Sequence, residues 1–146
     1  MDRIARAVEP SLGYRHELAN DPDEPYSSVG DAMTNAACDI AEALDAKAIL
    51  VPTYSGRTAS AVARHRPHRP VIAVTHKSHA ARQLAIEWGV VPREIDECGD
   101  VEELWAATIQ AARDSGIVAP GDRVVITAGT AVNVPGTTNL IKVETA

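Results

Sequence analysis

The 146-residue sequence contains no Phe, and aromatic residues make up only 3% of it. A chain so poor in large rings, yet 45% hydrophobic, must fill its interior with Ala, Val, Ile and Leu at short range, as happens where helices lie against a parallel sheet. Cysteine is scarce too: Cys38 and Cys98 are the only two, no Cys-x-x-Cys joins them, and both read as structural or incidental thiols. No apolar run approaches the roughly 20 residues that span a bilayer, and no signal-like segment opens the chain, so a cytoplasmic location is expected. Positive charge is in deficit. A formal net charge of −6 excludes a general nucleic-acid or anionic-membrane surface, which needs clustered Lys and Arg, but leaves room for a local anion site. The sequence also lacks Gly-x-x-x-x-Gly-Lys-Ser/Thr, Gly-x-Ser-x-Gly and any His, Cys and carboxylate set at ligand spacing, so no catalytic residue and no metal site is assigned.

What is present is an alternation of periods. Met1, Ile4, Ala5 and Val8 stand at helical spacing over 1–9, ahead of a polar, Pro-punctuated stretch from 10 to 26 that reads as a linker. Ser28, with Asp31 three residues on, opens a helix whose apolar face carries Val29, Ala32, Met33, Ala36, Ala37, Ile40, Ala41 and Leu44. From there the pattern predicts strand 48–52, helix 57–66, strand 71–75, helix 78–88, strand 90–95, helix 100–115 and strand 123–128. Right-handed crossovers make these strands parallel with helices on both faces. The last apolar run, 140–143, follows after about ten residues rich in Gly, Thr and Pro, too few for a helical crossover, so it is expected to return antiparallel.

Ligands of wound sheets sit at the carboxyl ends of the strands, where the winding reverses. That reversal falls between strands 48–52 and 123–128, which gives the order 3-2-1-4-5 and makes neighbours of two loops, 53–58 and 129–138. Thr53, Ser55, Gly56, Arg57 and Thr58 lie where a strand hands over to a helix start. Such a start offers unpaired N–H groups and partial positive charge, which suit an oxyanion and in particular a phosphate. Arg57 opposes the helix dipole unless a bound anion completes the pattern; the competing reading is that Ser55 simply caps the helix. The most basic stretch, Arg64-His65-Arg66-Pro67-His68-Arg69-Pro70, lies at the opposite sheet edge, where cations complement a helix C-terminus. His76 and His79 follow strand 71–75 without a carboxylate or thiol partner in a ligand pattern. Lys77 is placed at the pocket rim. Glu94, Asp96, Glu97, Asp100, Glu102 and Glu103 read as a solvated turn and a favourable helix start.

In order, the turn Thr53-Tyr54-Ser55-Gly56-Arg57-Thr58, the run Arg64-His65-Arg66-Pro67-His68-Arg69-Pro70-Val71-Ile72-Ala73-Val74-Thr75, the stretch from Ala81-Arg82-Gln83-Leu84 to Trp88-Gly89, and the closing Gly136-Thr137-Thr138-Asn139-Leu140-Ile141-Lys142-Val143 resemble the C-terminal domain of pyruvate kinase. The resemblance implies a three-layer α/β/α sandwich with a five-stranded, mostly parallel sheet whose last strand is antiparallel. It implies that 27–146 is this domain and that 1–26 is the last helix of a preceding barrel plus its linker. It implies a phosphorylated effector, a sugar phosphate or nucleotide, held at Thr53, Tyr54, Ser55, Gly56, Arg57 and Thr58, with Gly136 and Thr137 in a loop that closes over it. Self-association through the last strand and contact with the barrel domain follow in the same way. Phosphate transfer from phosphoenolpyruvate to ADP, with magnesium and potassium, belongs to that barrel; no cofactor is assigned to this chain, which is expected to be inactive alone. Tyr54 stands where many relatives carry Lys, and the closing loop lacks the Arg and Trp that hold a second phosphate in some relatives, which implies a monophosphate. The rival readings are an assembly module with a vestigial anion site, and a small phosphotransferase or phosphatase on the same fold.

Overall fold

The apolar run at 48–52 forms the central strand, β1 (Ala48–Pro52), in a computed structural model that describes residues 2–8, 26–129 and 138–146. All five residues of β1 are buried, because the strand is paired on both sides and covered on both faces. Around it the chain builds α1 (Asp2–Val8), α2 (Val29–Ala43), α3 (Arg57–Arg64), β2 (Val71–Thr75), α4 (Ser78–Leu84), β3 (Val90–Glu94), α5 (Val101–Asp114), β4 (Arg123–Gly129) and β5 (Thr138–Thr145). The sheet order is β3-β2-β1-β4-β5. The pairs β1/β2, β1/β4 and β2/β3 are parallel and β4/β5 is antiparallel, as the short connection requires.

Alternate residues of each strand feed two separate cores. Ile49, Val51, Val71, Ala73 and Val125 face α2, α3 and α4, where they meet Ala37, Cys38, Ala41, Val62 and Leu84. Ala48, Leu50, Ile72, Val74, Val124 and Ile126 face α5, where they meet Ala111 and Ala112, with Trp105 and Ile109 at the margin. The chain is therefore a three-layer α/β/α sandwich. Among the described residues the buried apolar ones are Ala, Val, Ile, Leu and the two cysteines, the aliphatic core that a sequence without Phe demands. Fully burying one Ile or Leu is worth about 1.5–3 kcal/mol, against about 0–1 kcal/mol for an exposed ion pair, so aliphatic burial holds the frame on which the site is mounted.

Caps define the helix starts. Ser28 Oγ accepts from Asp31 N at 3.1 Å, and Asp100 Oδ1 accepts from Glu103 N at 2.8 Å while Glu103 Oε2 accepts from Gly99 N at 2.7 Å. Asp100 and Glu103 thus act as caps. Helices α3 and α4 end at Arg64 and Leu84, before the residues that periodicity suggests, because the chain must turn toward the next strand at Arg66, with φ +48°, and at Gly89, with φ +68°. On α2 the buried face is Thr34, Ala37, Cys38 and Ala41. Val29, 70% exposed, and Leu44 at the helix ends lie outside the expected stripe because only the small-residue middle of the helix reaches the sheet.

Candidate functional site

Beyond Pro52 the chain stays pinned to the sheet by Thr53 N, which donates to Val74 O at 2.8 Å. It then turns sharply. Gly56 N donates to Thr53 Oγ1 at 3.1 Å, a side-chain turn that closes the loop on itself. Gly56 takes φ +85°, a conformation open to glycine, and becomes the N-cap of α3. Among the described residues no side chain caps this helix, so the competing reading of Ser55 as a cap does not hold. Among the described residues the first-turn N–H groups of α3, at the carboxyl end of the central strand, therefore have no side-chain acceptor. Arg57 is exposed and Thr58 half-buried on that first turn.

Tyr54 is 38% exposed, and its ring meets His76 edge-on, with centroids 5.3 Å apart and planes at 68°. Lys77 Nζ lies 5.1 Å from the centre of the same ring. The loop leaving β2 therefore holds the tip of the loop leaving β1 and brings a second cation to the rim. His76 Nε2 is buried, makes no hydrogen bond among the described residues, and stands 3.8 Å from Glu97 Oε1.

On the other flank Thr58 Oγ1 and Thr138 Oγ1 are 2.9 Å apart. Thr138 is the first residue of β5, so the helix start after β1 touches the chain where it returns from the β4 loop. Two clefts open beside the turn. One, of about 550 Å³, runs between the first turns of α2 and α3 and includes Ser28, Arg57, Thr58, Arg64, Thr138 and Asn139 in its lining. The second, of about 510 Å³, lies between α3 and α4 and includes Ser55, Gly56, Arg57, Ser60, Leu84 and Ile86. Arg57 and Arg64 border both; Arg64 is drawn to Asp31 Oδ1 at 3.6 Å.

Of the residues expected at the site, Thr53, Tyr54, Ser55, Gly56, Arg57 and Thr58 form one continuous turn at the sheet's carboxyl edge. Gly136 and Thr137 lie outside the described residues. Two neighbours were not singled out in the sequence. Thr138 falls in the 129–138 loop expected beside the turn but is indistinguishable there from Thr137, and Leu84, which packs under Gly56, reads as an ordinary core position.

Arg64 borders the clefts, whereas the rest of the basic stretch, 65–70, lies toward the opposite edge, where His65, Arg66 and Arg69 are taken up by tertiary contacts. His65 Nε2 is 3.3 Å from Thr34 Oγ1 and 3.8 Å from Asp31 Oδ1; Arg69 pairs with Asp45 and reaches Glu42 at 3.9 Å; Arg66 lies over Trp88 at 4.8 Å. These cations tie the α3–β2 connection to α2 and to the turn after α4 rather than facing a ligand. The Cys98 thiol is pushed above its ordinary range by burial and then by Glu103, Asp100 and Asp96, which favours the thiol over the thiolate. Among the described residues no group of three or more His, Cys, Asp and Glu is placed to hold a metal ion, and no helix is long and apolar enough to cross a membrane.

Comparison with known proteins adds a family. Residues 31–144 match the sequence profile of the family described as the pyruvate kinase alpha/beta domain. A pyruvate kinase of Clostridium acetobutylicum is 39% identical over 144 residues, covering 99% of this chain and 30% of the relative. One of Geobacillus stearothermophilus is 40% identical over 144 residues, covering 99% of this chain and 24% of the relative. Pyruvate kinase 2 of Synechocystis is 40% identical over 118 residues, 81% of this chain and 20% of the relative. The chain thus spans less than a third of the length of each of these three relatives.

Proposed function

This chain belongs to the pyruvate kinase alpha/beta-domain family, and from that premise we propose that it is the regulatory, effector-binding and subunit-assembly domain of a pyruvate kinase. The effector is a phosphorylated metabolite, a sugar phosphate or a nucleotide, whose phosphate rests on the turn formed by Thr53, Ser55, Gly56, Arg57 and Thr58. Tyr54 borders it, and Gly136 and Thr137 belong to the loop that closes the site. The observation that carries this reading is the start of α3: a helix opening at the winding reversal with a glycine N-cap, no side-chain cap and an exposed arginine on its first turn. Hydrogen bonds to a charged group contribute about 1.5–3 kcal/mol each, so three or four of them reach the roughly 8 kcal/mol of a micromolar ligand.

The effector acts by favouring one quaternary arrangement over another. Phosphate transfer, with its magnesium and potassium ions, belongs to the barrel domain that accompanies this one, and the chain alone is inactive. Residues 1–26 are the last helix of that barrel and the linker from it. Two observations support this: Ile4 and Val8 of α1 are exposed apolar side chains that suit a neighbouring domain, and the profile match begins only at residue 31.

Titrating the chain with ribose 5-phosphate, glucose 6-phosphate, AMP and inorganic phosphate, by calorimetry and thermal shift, tests the reading. A saturable response is expected for at least one of them, weakened roughly tenfold or more in Arg57→Ala. No saturable response from any of the four overturns effector binding. The second reading, a purely structural assembly module, would then stand, favoured by the open edge that β5 presents.

A further inference from the structure

The Thr58 and Thr138 hydroxyls lie 2.9 Å apart, and either can be the donor. A threonine hydroxyl carries a single hydrogen but accepts through two lone pairs. A fully ionised oxyanion offers acceptors only. If Thr58 bonds such an ion, its one hydrogen points to the ion, and the contact with Thr138 then persists only with Thr138 donating and Thr58 accepting. Resting on the anion-site reading above, we infer that Thr138 is a positioning residue of that site: it turns the Thr58 hydroxyl hydrogen toward the oxyanion and, by donating to the same oxygen, strengthens the bond that Thr58 gives.

The surroundings suit this role. Thr138 is 8% exposed, so its hydroxyl has little water to turn to. Its backbone is registered against Gly129 of β4, beside the irregularity at Ala128/Gly129. On its other side the first turn of α2 comes close: a β-carbon at Gly30 would stand 3.9 Å from Thr138 Cβ. A β-branched side chain packed in this way is restricted at χ1, which limits where its hydroxyl oxygen can sit. Thr58 sits on the first turn of α3, and both residues line the 550 Å³ cleft together with Arg57. A chain of two hydroxyls ending on a charged acceptor polarises along its length, so loss of the outer hydroxyl weakens the inner bond even though Thr138 never touches the ion.

The test uses the ¹⁵N-labelled 146-residue chain, titrated with inorganic phosphate and followed through the amide shifts of Ser55, Gly56, Arg57 and Thr58. Thr138→Val is expected to raise Kd about five- to tenfold, Thr138→Ser to stay within about twofold, and Thr58→Val to lose about as much as Thr138→Val. In the Thr58→Val background, Thr138→Val should add less than about twofold, the non-additivity of two residues acting through one bond. An unchanged Kd in Thr138→Val, no rescue by Ser, or fully additive losses overturns the inference and leaves the anion site standing. Absence of any saturable shift in the parent chain overturns both. Should Thr138→Val not give a native spectrum, Thr138→Ala is read against the same limits.

Discussion

Gly56 stands directly against Leu84: a β-carbon at position 56 would lie 3.3 Å from Leu84 Cγ, with both δ-carbons at 3.4 Å. The turn that opens α3 is therefore seated on α4, and two requirements fall on one residue. It adopts φ +85°, and any side chain there would require Leu84 to give way by a few tenths of an ångström. Gly56→Ala is expected to lower stability by roughly 2–3 kcal/mol, combining left-handed strain with overpacking of a buried leucine. Urea denaturation measures it. A loss below about 0.5 kcal/mol would mean that the turn relaxes freely and is not a preformed site.

The Cys98 thiol gives the chain an alkaline signature. Burial, with Glu103, Asp100 and Asp96, raises its pKa above the ordinary 9.0, so the folded chain holds this proton more tightly than the unfolded chain. The resulting contribution to stability is whole below pH 9.0 and is lost as pH rises through the folded value. In urea midpoints recorded between neutral and alkaline pH, the decline above pH 9.0 should be shallower in Cys98→Ala than in the parent chain. Equal slopes in the two proteins would show that this thiol is not responsible.

Strand β5 is the outer strand of the sheet on the side away from β3, and Val143 on it is 44% exposed. An open edge with an apolar residue offers itself to a second copy of the chain. Val143→Glu places like charges across such a contact and should weaken self-association at least tenfold, read by sedimentation equilibrium. An identical association constant in the two proteins, or no association of the parent chain, would remove β5 as the proposed contact.

Much of the architecture was legible in the residues. The 48–52 and 71–75 runs are β1 and β2 to the residue, because a fully buried strand is an uninterrupted apolar run with polar ends. The antiparallel β5 follows from the length of its connection alone. Other features were not legible. The apolar stripe of α2 predicts that Val29 and Leu44 face the core, yet they are exposed, since periodicity tells which way a side chain points and not how far the sheet extends beneath it. The basic stretch at 64–70 reads as cations at a helix end, whereas its partners Asp31 and Glu42 come from α2 and Asp45 from the turn just after it, far off in the chain.

At the site the division is the same. The glycine and hydroxyls of the 53–58 turn, and its place at a winding reversal, are properties of local spacing and crossover handedness, which residue order alone dictates. That the Thr58 hydroxyl meets that of Thr138, that Leu84 crowds any β-carbon at Gly56, and that His76 and Lys77 embrace Tyr54 were decided only when the layers packed. These contacts depend on strand register and sheet twist, which arise from the summed packing of both cores and leave no mark in the sequence around any one of the residues involved.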